Sequence, residues 1–154
     1  MVCILSSLLS ACQSTRKLFN FDTTLTLTLS GRYDINPDQD GRSSPLVIRV
    51  LTLEDDRQIQ REEFLNLFED AKGRLGSDLL DTTVLRELAP GEEREEFLML
   101  TPDVHYVALL AEYVRYEDAK ALLILPINGY SSNRFTIDVK HLALINSNFK
   151  RKTR

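Results

Sequence analysis

The most distinctive chemical group in this chain of 154 residues is the thiol of Cys12, which directly follows Leu9-Ser10-Ala11. An apolar run from Val2 to Leu9, two small residues and then a cysteine is the order of a lipoprotein signal. A signal peptidase binds its substrate extended, so small side chains are needed beside the scissile bond, and the exposed thiol then takes the lipid. On this reading residues 1–11 are a signal segment that is removed, and Cys12 is the acylated first residue of the mature protein. Met1 to Ala11 contains no basic residue, and Ser6 and Ser7 interrupt the apolar run, which fits a true start upstream of Met1. The competing use of residues 1–12 is an ordinary buried strand or helix with a free thiol.

The remaining reactive side chains do not assemble into a catalytic pattern. His105 and His141 are the two histidines, each inside a strand-like stretch and far from any acidic pair at ligand spacing. They read as partly buried structural residues rather than metal ligands. There is no Gly-x-Ser-x-Gly elbow and no glycine-rich phosphate loop. Leu75-Gly76-Ser77-Asp78 reads as a turn with a capping side chain. The carboxylates of Glu54-Asp55-Asp56 and Glu92-Glu93 lie in polar stretches where nothing points to the shifted pKa values of acid–base catalysis. No enzyme is expected, and no cofactor beyond the covalent lipid on Cys12.

Cysteine count and charge narrow the class further. Cys3 leaves with the signal and Cys12 is acylated, so the mature domain holds no internal disulfide, and two cysteines make no zinc site. The net charge of −4 supplies no basic field for nucleic acid. The basic tail, residues 150–154, reads as a solubilising end. Hydrophobic residues at 43% and charged residues at 27% describe a globular chain. After Cys12 no apolar run approaches the ~20 residues that span a bilayer.

The elements that must carry these groups are mostly strands. Residues 12–20 form a polar tether behind the lipid, and residues 21–149 the folded domain. Leu25, Leu27 and Leu29 alternate with Thr24, Thr26 and Thr28, the period of a half-buried strand. Gly31 to Pro45 packs turn formers into one stretch of 15 residues: Asn36-Pro37, Asp38, Asp40-Gly41 and Ser43-Ser44-Pro45. Loops of that length are often functional, although composition alone allows a neutral hairpin loop equally well. Leu46 to Leu53 is apolar on both faces apart from Arg49 and Thr52 and suits a strand covered on both sides. Phe64, Phe68, Ala71 and Leu75 fall at helical spacing, predicting one amphipathic helix over about residues 61–72.

Further strands are expected at Val84–Leu88, Glu95–Leu100, Val104–Val114, Ala119–Ile127 and from Phe135 on. The apolar phase shifts near Lys140-His141, which calls for a bulge or a break between two short strands. Seven or eight strands with one inserted helix point to an antiparallel β-sandwich.

The ordered set of Asn36, Gly41-Arg42-Ser43-Ser44-Pro45 with Leu46-Val47-Ile48-Arg49-Val50-Leu51-Thr52-Leu53, then Phe64, Leu75-Gly76-Ser77-Asp78-Leu79-Leu80, Leu88-Ala89-Pro90-Gly91-Glu92 and Leu109-Leu110-Ala111-Glu112-Tyr113 resembles the outer-membrane lipoprotein of the bacterial type VI secretion system, the TssJ (SciN/VasD) family. The likeness runs from about residue 20 to 145. It implies a transthyretin-like sandwich, lipid-anchored in the outer membrane and facing the periplasm. It also implies a partner, the periplasmic C-terminal region of the inner-membrane subunit TssM, alongside other subunits of the membrane complex. The contact is the loop between the first two strands, here Gly31 to Pro45, with Asn36, Pro37, Asp38, Gln39 and Asp40 at its tip. Gln13 after the cysteine agrees with outer-membrane sorting. The rival readings are a periplasmic ligand-binding lipoprotein, which needs a closed apolar pocket, and an exported enzyme or inhibitor, which needs clustered titratable groups.

Overall fold

The computed structural model describes residues 22–148. The expected signal segment at residues 1–11, Cys12 with the expected tether to residue 20, and the basic residues 150–154 lie outside the described residues.

Two four-stranded sheets face each other. The first, sheet A, has strand order β4-β1-β7-β8, and sheet B has order β3-β2-β5-β6. The strands are β1 (Thr23–Gly31), β2 (Ile48–Leu53), β3 (Leu79–Val84), β4 (Glu93–Leu100), β5 (Tyr106–Ala111), β6 (Leu122–Pro126), β7 (Ser132–Lys140) and β8 (Ala143–Asn146). The leucine–threonine alternation of β1 does what its period requires: Leu25, Leu27 and Leu29 are fully buried between the sheets. Each is worth about 1.5–3 kcal/mol of apolar burial. From sheet B they meet Ile48, Val50, Val107 and Leu109 in one core.

The named strands pair antiparallel except at one place that the sequence pattern does not reveal. β1 pairs antiparallel with β4 but parallel with β7, in register from Thr24 opposite Ser132 to Gly31 opposite Val139. β1 is therefore a central strand with neighbours on both sides.

The doubly apolar β2 needs a second cover, and the inserted helix α1 (Phe64–Leu75) supplies it. Leu51 and Leu53 on the outer face pack with Ile59, Leu67, Leu75 and Leu110 in a separate cluster. The helix begins three residues later than its periodicity suggests, after a short 3-10 turn at Ile59–Arg61. It is kinked at Asp70, whose φ of −150° and ψ of 65° are not helical. The Asp70 carboxylate accepts the N–H of Gly73 at 2.9 Å and so caps the second segment. Arg49 ties helix to sheet: it is ion-paired with Glu112, donates to the Phe68 carbonyl at 3.1 Å, and lies 4.8 Å from the centre of the Phe68 ring.

The strand expected at Val84–Leu88 lies earlier, at β3. Leu75 and the 3-10 turn Gly76–Asp78 deliver the chain straight to the sheet, while Leu85 and Leu88 are buried in a connection bridged to Leu46. The phase shift near Lys140 is the expected break, a turn at His141-Leu142 between β7 and β8. Both histidines differ from expectation: they are exposed at strand ends, and each ring Nδ1 meets a backbone carbonyl, Glu54 for His105 at 3.0 Å and Asp34 for His141 at 3.1 Å.

Candidate interaction site

Because β1 starts at Thr23 and ends at Gly31, the sandwich has a near pole, where the chain arrives, and a far pole about 30 Å away. The Gly31–Pro45 loop lies at the far pole. Its stem is joined to neighbouring turns: Gly31 N–H donates to the Glu92 carbonyl at 2.8 Å and Arg32 N–H to Val139 at 3.0 Å. Ile35 is fully buried and plugs the loop into the core.

Asn36 is the knot that closes the stem. Its φ of 46° is left-handed, a conformation that Asn tolerates better than most side chains. Its Nδ2 donates to the Pro45 carbonyl at 2.8 Å, and its Oδ1 accepts the N–H of Val114 at 2.8 Å. The Asn36 N–H donates to the His141 carbonyl at 3.0 Å, and the Ser44 hydroxyl donates to the Asn36 carbonyl at 2.7 Å. Asn36 and Pro37 are both buried, so neither is presented to a partner.

Beyond the stem, Asp38 to Arg42 form a compact tip. Asp38 Oδ1 accepts the N–H groups of Asp40 and Arg42, both at 2.9 Å, and Oδ2 receives Arg42 Nε at 2.9 Å. Arg42 also reaches Asp40 at 2.9 Å. The Arg42 N–H, opposed by desolvation and joined by the Arg42 guanidinium and the Asp40 N–H, holds the Asp38 carboxyl below its ordinary value. Gly41 turns the chain with φ of 78°. Gln39 and Asp40 are exposed and Asp38 is half-buried. Of the five residues expected at the tip, three face outward and two hold the loop in place.

Two apolar features nearby escape pattern reading. Tyr33 is 84% exposed, and its ring lies where a Cβ on Gly91 would fall. A tyrosine in a turn-rich loop is the one available signal, since exposed aromatics anchor interfaces. The second is an open groove of about 270 Å³ formed by Phe64, Leu65, Phe68 and Tyr116 with Glu112 and Tyr113. Phe64 stacks on both Phe68 and Tyr116, at 5.8 and 5.2 Å between ring centres. Val114, 56% exposed, lies between this groove and Asn36. Burial pushes the Tyr113 phenol up, and its hydroxyl donates to the Lys140 carbonyl at 3.1 Å.

Behind the loop, Glu92 is the most perturbed carboxylate. The Ala89 N–H, then Arg86 and Arg94, pull its pKa down to about 2. That direction suits a permanent ion pair and is opposite to that of a general acid. Among the described residues, no group of three or more His, Cys, Asp or Glu is placed to hold a metal ion. No helix among them is long and apolar enough to cross a membrane.

The family model for the type VI secretion lipoprotein (VasD, EvfM, TssJ) matches residues 23–142. No curated protein sequence matches. Among solved structures, the T6SS lipoprotein TssJ1 from Pseudomonas aeruginosa is 25% identical with a TM-score of 0.76, covering 81% of this chain and 95% of its own. Lip from Serratia marcescens, a membrane-bound component of the type VI secretion system, is 23% identical with a TM-score of 0.74, over 81% and 96%. A chain from a structure of the T6SS protein TssM C-terminal domain from EAEC shares the fold at 19% identity and a TM-score of 0.67, over 80% and 97%. The matched span runs from β1 through β7 and takes in α1 and the far-pole loop, and the chain belongs to the type VI secretion lipoprotein family.

Proposed function

We propose that this chain is the lipid-anchored periplasmic subunit that ties a TssM-like inner-membrane subunit to the outer membrane. Cys12 carries the acyl chains, residues 1–11 are the removed signal, and residues 12–20 link lipid to fold. The observation that carries the reading is the polarity of β1: the chain arrives from the anchor at one pole, and the braced loop stands at the other. A subunit that bridges two membranes needs its two attachments on opposite sides. The family is a structural secretion component and not an enzyme family, and the Glu92 shift is that of a structural ion pair. The ligand-binding alternative calls for a closed apolar pocket, whereas the groove beside α1 is open to solvent.

The partner contact is the outward part of the loop, Asp38, Gln39 and Asp40, together with Tyr33. Since Asp38 also builds the tip, Asp40→Lys and Tyr33→Ser are the cleaner probes. Each should weaken co-purification with the partner's periplasmic C-terminal region by about 10- to 100-fold while leaving unfolding unchanged, as for truncated interface anchors. Wild-type recovery of the partner by both variants would rule out the loop assignment. Fractionation of Cys12→Ser against wild type tests the anchor separately: the variant should leave the membrane fraction.

A further inference from the structure

The groove beside α1 opens at the far pole, next to the loop. Ile48, the first residue of β2 after the loop, pairs with Ala111, and Glu112 beyond it donates its N–H to the Val47 carbonyl at 2.9 Å. Arg49 holds the Phe68 carbonyl and so draws the first turns of α1 to the same end. The helix contributes Phe64, Leu65 and Phe68 to the groove, and the chain after β5 contributes Tyr113 and Tyr116. Val114 carries the apolar surface on to the stem of the loop, where its N–H meets Asn36. Leu65, Phe68 and Val114 are 41%, 38% and 56% exposed, so apolar surface lies uncovered here. At about 270 Å³ the groove falls short of the ~300–1,000 Å³ of a small-molecule site and suits one or two side chains of another protein.

The unpaired charge around the groove is of one sign. Glu112 is paired with Arg49, and Asp118 with Arg115. Glu63, Glu69 and Glu117 are exposed, and their side chains have no hydrogen bond or ion pair among the described residues. Glu63 directly precedes Phe64, Glu69 lies one helical turn beyond Leu65, and Glu117 follows Tyr116. The cations nearest to them in sequence are placed elsewhere. Arg61 lines a separate pocket with Arg57, Gln58, Glu62 and Asp78, Lys72 donates to the Gly76 and Leu79 carbonyls, and Lys120 bridges through its backbone to Ala143 of β8.

We propose that this groove is a second contact for the partner that takes the loop, and that it receives an apolar side chain of the partner's periplasmic C-terminal region with a lysine or arginine beside it. This deepens the tethering reading above, rests on it, and adds the chemistry of the partner's own surface. The groove and the loop are continuous through Val114, so one partner can cover both. Phe64 is stacked on Phe68 and on Tyr116, which fixes the rings before anything binds and lowers the cost of ordering them. An apolar anchor seated there supplies affinity. A cation beside it meets Glu69 and Glu117, which speeds encounter and selects against an acidic partner.

The test is co-purification of the full chain with the periplasmic C-terminal region of the TssM-like subunit, at low and at raised salt. Leu65 belongs to neither core cluster, so Leu65→Lys removes the apolar contact and repels a cation while urea unfolding stays as in wild type. It should weaken recovery of the partner about 10- to 100-fold, and Leu65→Met, which keeps the apolar volume, should stay close to wild type. Glu69→Gln with Glu117→Gln should weaken recovery at low salt and flatten its further loss as salt is added, because the cation has then lost its partners. Wild-type recovery by Leu65→Lys, or an unchanged salt dependence in the double glutamine variant, would overturn the proposal. Failure of the tethering reading looks different: wild type itself then recovers no partner, and both fall together. Normal recovery by the groove variants with loss in Asp40→Lys and Tyr33→Ser sinks the groove alone, and the reverse result keeps the groove and sinks the loop.

Discussion

At the scale of single residues, two buried asparagines hold the two poles. Asn36 closes the far-pole loop, and Asn133 gathers the near-pole turn by donating to the carbonyls of Thr24, Asn128 and Ser131. Asn36→Ala strands the Val114 N–H and the Pro45 carbonyl and puts a Cβ residue without a compensating bond at positive φ. It should cost about 2–4 kcal/mol in urea unfolding, with Asn36→Gly recovering only the backbone share; an Asn36→Ala protein as stable as wild type would show that the loop does not depend on this knot. Sequence reading places Asn36 correctly in the loop but at its tip. An asparagine that caps a turn and one that is swallowed by it look alike until the Val114 N–H, 78 residues away, is brought to it.

Glu92 makes the pH prediction at this scale. Its folded pKa of about 2 lies below the ordinary 4.5, so the folded state keeps the charge where the unfolded chain takes up a proton. Its stabilisation is complete above pH 4.5 and lost as pH falls through about 2. In acid titrations of stability, Glu92→Gln should flatten the slope over that window and leave the neutral-pH side of the curve in shape. An unchanged slope would assign the acid sensitivity to other carboxylates.

At the scale of elements, the question is what fastens α1 to the sandwich. Its apolar stripe is visible in Phe64, Leu67, Phe68 and Leu75, but the fastening is Arg49, the one charged residue of β2. Removing the guanidinium leaves Glu112, half-buried, without its ion-pair partner and frees the Phe68 carbonyl. Arg49→Met should destabilise by about 1–3 kcal/mol. Arg49→Met with Glu112→Met should recover part of that loss, because the stranded charge goes too; equal stability of wild type and the single variant would mean that the pair contributes nothing.

The same element shows what a pattern can and cannot reveal. β1 is legible because its period of two is set by the face it buries. Periodicity puts the helix start three residues early because Arg61 to Glu63 look as helical as the residues that follow. The parallel pairing of β1 with β7 was invisible, since side-chain alternation is identical for either strand direction. Strand direction is decided by connectivity across about 100 residues, not by local preference.

At the scale of the whole molecule, the poles turn reach into a measurable quantity. The ten residues from Gln13 to Asp22 span at most about 35 Å when extended, and β1 adds about 30 Å. If the loop meets its partner across the periplasm, deleting Gln13 to Lys17 should reduce that engagement in cells while leaving partner binding by the isolated domain intact. Equal activity of the shortened chain would mean that reach is not limiting. That the chain folds as one sandwich is legible from strand count and turn spacing; that Asp22 and the Gly31–Pro45 loop stand at opposite poles needs the register of β1.

The central position of β1 has one more consequence. If the chain is pulled between an N-terminal anchor and a partner on the loop, as proposed, the tension enters at Thr23 and leaves at Gly31 and pulls lengthwise on a strand bonded along both flanks. Its ladders are then loaded in shear, where many bonds share the force and must yield together, instead of being unzipped one at a time. A joint that bridges two membranes in the proposed way would meet their drifting apart along its strongest mechanical direction.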